Sequence, residues 1–189
     1  MTRVCHYILL ASCVGWLAGC SRATQNHMSH PSVDKLLATT DDFDLCDGVF
    51  CAIADVTGNQ IDAVTEPEPC RTVTLVWHSG GIIGNGGFQY LFEGNFNGDP
   101  GYRKTADAYK RIGAEKSYAA FQDALALFPG NSPPSDIDCR LKIYQSHPKE
   151  TRDEINGRFW ADADEAKRLL AKFIRFHSSE FCEFLTAQP

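Results

Sequence analysis

His78-Ser79-Gly80 sets an imidazole beside a hydroxyl nucleophile, the residue types of hydrolytic acyl transfer. A hydrolase centred on His78, Asn85 and Gln89 is therefore one reading of the chain. The strained turn that exposes such a serine needs glycine two residues earlier, and Trp77 stands there instead. Asp42, Asp44 and Asp47 hint at a calcium loop, but Ile53 and Ala54 occupy the place of its bidentate glutamate. Gly80, Gly81, Gly84, Gly86 and Gly87 follow a strand-like run, Thr72 to Trp77, in the layout of a dinucleotide site. Their spacing is G-x-x-G-x-G, not G-x-G-x-x-G, and no Lys-Ser/Thr follows as a phosphate loop requires. No Cys-x-x-Cys or His-x-x-x-His pair offers a zinc site. His147 and His177 are isolated. No catalytic set, metal or cofactor is expected, and the chain reads as non-enzymatic.

The clearest chemical signal is Leu17-Ala18-Gly19-Cys20, which reads as a lipobox, the cleavage and thioether-lipidation signal of a lipoprotein. Arg3 is the only charge in residues 1–19, and Ile8 to Ala18 is an apolar run shorter than the ~20 residues of a bilayer span. The expected product is lipidated at Cys20 and held to a membrane of the cell envelope by more than one acyl chain. In a Gram-negative cell Ser21, rather than Asp, would direct it to the periplasmic face of the outer membrane. Residues 20–32 are polar and aperiodic, as a flexible tether is. The expected organisation is thus a signal peptide at 1–19, a lipidated tether at 20–32 and one domain at 33–185.

Export permits disulfides. Of eight cysteines, Cys46, Cys51, Cys70, Cys139 and Cys182 lie beyond the lipobox, an odd number. In a helix Cys46 and Cys51 would stand farther apart than the ~7 Å limit for a bridge. The expected pairs are Cys139 with Cys182, and Cys70 with Cys46 or Cys51.

The periodicity behind these residues is mostly helical. Thr40-Asp41-Asp42 caps a helix with Cys46, Val49, Phe50 and Ile53 on one face, ended by Gly58-Asn59. Asp99-Pro100 reads as a cap and first-turn proline ahead of Tyr102, Ala106, Tyr109 and Ile112. Tyr118, Phe121, Leu125 and Phe128 mark the next helix, broken at Pro129-Gly130. Ile137, Leu141 and Tyr144 mark another, ahead of His147-Pro148. Asp162 and Glu165 have capping-box spacing before the stripe Leu169, Leu170, Phe173, Ile174 and Phe176. Asn85 reads as an N-cap, and the glycines before it as a tight turn with close helix approach.

Asn85-Gly86-Gly87-Phe88-Gln89-Tyr90 resembles the signature of a bacterial all-α domain family of unknown function typified by a DNA-mimic protein. Trp77, Ile112-Gly113-Ala114-Glu115-Lys116, Ala124-Leu125-Ala126-Leu127-Phe128-Pro129, Pro133-Pro134 and the Phe-rich end through Phe181 match in order, covering roughly residues 70–182. The resemblance implies a compact all-α fold in which Thr72–Trp77 is a buried helix despite its strand propensity. The Asn-Gly-Gly-Phe motif itself is expected to be structural, because glycine pairs mark backbone constraints.

Charge weighs against inheriting the mimicry. The formal net charge is −6. Asp34, Asp41, Asp42, Asp44, Asp47, Asp55, Asp62, Glu66 and Glu68 face only Lys35 in residues 34–68, whereas residues 70–189 carry 15 acids and 15 bases. A phosphate mimic needs a dense array free of neutralising bases, and no basic footprint for nucleic acid exists. The expectation is a lipid-anchored protein-binding module, immunity-like in one version, that holds a basic protein through the acidic segment.

Overall fold

The computed structural model describes residues 33–58 and 66–186. The signal segment, Cys20 and the tether lie outside these. Among the described residues every regular element is helical: α1 (Val33–Leu37), α2 (Asp42–Val56), α3 (Cys70–Phe92), α4 (Arg103–Arg111), α5 (Glu115–Ala126), a 3-10 turn (Pro129–Asn131), α6 (Ile137–Ser146), α7 (Lys149–Ala161), α8 (Ala163–Phe176) and α9 (Ser178–Thr186). They form one all-α domain around one core. None is long and apolar enough to cross a membrane.

α3 is the axis of the molecule, packed against α2, α4, α6, α7 and α8. Its first half is the run with strand propensity. Thr72, Val73, Thr74, Leu75 and Val76 are all buried, and burial on every side overrides a β-branched preference worth only tenths of a kcal/mol per residue. Its second half carries the aromatic centre. The Phe88 ring meets those of Phe121 and Phe159 edge-on, and Phe92 meets Tyr102, Phe128 and Tyr144 in the same way.

One of the expected caps is formed and two act otherwise. Asp41 caps α2, accepting the Asp44 N–H at 2.9 Å. Asp99 caps α4, but from farther back. Its carboxylate accepts the N–H groups of Lys104 and Thr105 and the Thr105 hydroxyl. Pro100 is therefore not in the first turn, and Tyr102 takes a left-handed φ of 56° so that its hydroxyl can donate to the Gly94 carbonyl at 2.7 Å. Asp162 does not cap its own helix α8. Its carboxylate instead accepts the N–H and hydroxyl of Ser117 at the start of α5. The two helices are thereby joined by one buried carboxylate.

α7 has no counterpart in the periodicity reading. Its buried positions are Ile155, Asn156 and Phe159, too few apolar residues to stand out in a polar segment. At the chain's end Leu170 and Ile174 enter the core as expected. Leu169 and Phe173 are only half-buried, and Phe176 is 82% exposed.

Candidate functional site

The glycine-rich motif is a helix break, not a loop. Within α3, Gly86 (φ −154°, ψ 18°) and Gly87 (φ 70°, ψ −169°) leave helical geometry, and the helix restarts at once. A break orphans backbone groups on both sides, and α7 supplies partners for two of them. The Asn156 side-chain carbonyl accepts the buried Phe88 N–H at 2.9 Å. One turn later, the Trp160 indole N–H donates to the Ile83 carbonyl at 2.9 Å. Gly87 is required twice over: its φ is left-handed, and a Cβ there would lie 2.6 Å from the Asn156 amide. Asn85 is therefore not the N-cap expected from sequence, since its amide donates back to the Gly81 carbonyl and the capping acceptor is Asn156.

This geometry holds the hydrolase candidates apart. The Ser79 hydroxyl is buried and donates to the Leu75 carbonyl at 2.5 Å, with the Tyr109 hydroxyl 3.1 Å away. His78 lies between the rings of Phe50 and Phe96. Burial holds its imidazole below the usual pKa, and Nδ1 meets no hydrogen-bond partner among the described residues. Gln89 donates to Glu93 at the surface. No member of this set orients another, as a nucleophile and base must. Trp77 is structural as well: its indole donates to Asp47 at 3.3 Å and its ring meets Phe43 edge-on. Tyr90 is half-exposed beside the break.

No disulfide joins these five cysteines to one another, so neither expected pairing is formed. Cys139 is exposed on α6, which packs on α3, while Cys182 on α9 lies 4.0 Å from Asp34 of α1. Cys46 and Cys70 are fully buried, and burial pushes each thiol up to about 12. Cys51 is half-buried on α2.

Two acids of α2 are engaged by side chains of other helices. Asp42 pairs with Arg175 of α8 at 2.7 Å, and Asp47 receives Trp77. Asp34, Asp41, Asp44 and Asp55 are exposed. Among them stands Phe43, 52% exposed, held by the Trp77 ring on one side with Lys167 Nζ 5.9 Å over its face. No three His, Cys, Asp or Glu side chains gather as a metal set among the described residues, and Asp42 and Asp47 are engaged by Arg175 and Trp77.

A cleft of about 520 Å³ opens elsewhere, between α8–α9 and the junction of α3 with α4. One wall is Leu169, Lys172, Phe173, Phe176, His177 and Glu180; the other is Glu68, Pro69, Arg111 and Ile112. The motif residues 85–90 form no part of it.

Three residues that matter here escaped the sequence reading: Asn156, Trp160 and Arg140. Arg140 is fully buried and closes the C-terminal end of α3, donating to the carbonyls of Phe92 (2.6 Å), Gly94 (2.6 Å) and Pro134 (3.0 Å). Only the i, i+4 spacing of Asn156 and Trp160 could have pointed to the clasp, and that spacing is common.

A family model described as DMP19-like protein matches residues 65–177. No curated protein and no solved structure matches the chain.

Proposed function

The chain belongs to the DMP19-like protein family, and from that premise we propose that it is a non-enzymatic protein-binding module, lipid-anchored at Cys20 in the cell envelope, whose α1–α2 face holds a basic protein. The observation that carries this reading is Phe43. A half-exposed aromatic ring, braced by Trp77 and flanked in sequence by the exposed Asp41 and Asp44, has the build of an interface anchor beside a charged rim.

The rest of the surface supports a protein rather than a phosphate-like role. Its carboxylates are interleaved with bases: Asp123 with Arg158, Asp153 with Lys149, Asp164 with Lys167, Glu165 with Arg168. Such pairs blunt the array that DNA imitation needs. The lipobox adds the address, and an immunity-like role against an incoming basic toxin fits both.

The test is kinetic. Asn keeps the cap at position 41 and the acceptor at position 47 while removing charge. The triple variant Asp41→Asn, Asp44→Asn, Asp47→Asn is therefore expected to fold normally. Its association with a captured partner should slow by about tenfold at low salt, with little change at high salt. An unchanged association rate at low salt would overturn the acidic-face reading.

A further inference from the structure

We propose that the cleft along α8 and α9 is a docking groove for an amphipathic helix of a protein partner, one that carries an acidic residue beside its apolar stripe. The proposal is independent of the α2 face.

The wall residues Leu169, Lys172, Phe173, Phe176 and Glu180 recur at helical spacing along one side of α8 and into α9. Their apolar members have the stripe of a core-facing helix, yet no element among the described residues covers their outer side. Leu169 and Phe173 stay half-buried, and Phe176 is the most exposed large hydrophobic side chain among the described residues, at 82%. From Leu169 to Glu180 the wall runs roughly 16 Å at 1.5 Å per residue. That is the length of three helical turns, the reach of a partner helix that anchors itself at i, i+3 or i+4, and i+7.

Charge selects the kind of helix. Arg111 is paired with Glu68 at 3.0 Å, and His177 with Glu180 at 2.6 Å. Lys172 is exposed on the rim and has no ion-pair partner among the described residues. An occupant with a carboxylate near its apolar anchors answers that ammonium; one with a lysine there meets repulsion. Lys167 and Arg175 point to the other flank of α8, toward Phe43 and Asp42, so the groove and the α2 face are separate surfaces.

The probe is a fluorescein-labelled, end-capped sixteen-residue model helix with Leu at i, i+4 and i+7 and Glu beside them. A second peptide has Lys in place of Glu. Anisotropy titration of the full-length protein should show the Glu peptide binding at least about tenfold more tightly than the Lys peptide. Phe176→Ala, which removes an exposed ring and spares the core, should weaken the Glu peptide about tenfold. Lys172→Glu should reverse the preference, and Tyr90→Ala, remote from the groove, should change nothing. Equal binding of both peptides, binding untouched by Phe176→Ala, or no binding at all would overturn the proposal. So would sedimentation showing a dimer that Phe176→Ala dissolves, since a second copy would then be the occupant.

Discussion

At the scale of single residues, the family motif is a helix break whose orphaned groups are met by a neighbouring helix. Gly87→Ala must place a side chain at φ 70° and displace Asn156. The left-handed strain and the stranded Phe88 N–H together should cost about 2–4 kcal/mol, read as a fall in thermal midpoint. Asn156→Ala alone should cost about 1–3 kcal/mol. The double variant should cost less than the sum, because both remove the same hydrogen bond. Arg140→Met should be severe, at about 3 kcal/mol or more, because it strips the donors from two carbonyls at the end of α3 and from that of Pro134 ahead of α6. The glycine pair could be read from sequence as a backbone constraint. Its partner could not: a lone Asn on a polar helix has no pattern that singles it out, and a buried Arg reads as surface until the fold surrounds it.

At the scale of elements, most helices were legible because their apolar faces repeat at helical spacing, and Asp41 was legible because Asp before such a face is a cap. Asp99 and Asp162 show the limit of that logic: a carboxylate caps whichever helix start lies within reach, including one 45 residues away in sequence. The closing stripe is apolar throughout, yet Phe176 is exposed, because periodicity gives a face and not what covers it. The cysteines follow from how the helices pack. With Cys46 and Cys70 buried and Cys139 exposed, brief alkylation of the native protein should label Cys139 and leave Cys46 and Cys70 unmodified until denaturant is added. Both buried thiols titrate higher folded than unfolded, about 12 against 9.0. The folded state therefore retains protons that the unfolded chain has lost. Stability should be unaffected by these groups below pH 9 and should decline as pH rises from about 9 toward 12. Cys46→Ala should lessen that decline, as monitored by chemical unfolding at each pH.

At the scale of the molecule, charge is partitioned rather than spread. The α1–α2 segment exposes Asp34, Asp41, Asp44 and Asp55, with Asp41 and Asp44 beside Phe43 in sequence, while α7 and α8 pair most of their acids with bases on the same or adjoining helices. The sequence made the acidic segment visible. It did not reveal that Asp42 would be paired at the surface with Arg175 or that Phe43 would be propped outward by Trp77, because both depend on where α8 and α3 pass. The central claim is that this face holds a basic protein, and the most direct measurement places a photo-crosslinking amino acid at Phe43 in the full-length protein in its own cells. One prominent adduct with a basic protein is expected, strongly reduced when Asp41, Asp44 and Asp47 become Asn, and absent when the crosslinker sits at Tyr90. An adduct of equal yield from both positions, or one indifferent to the three substitutions, would contradict it.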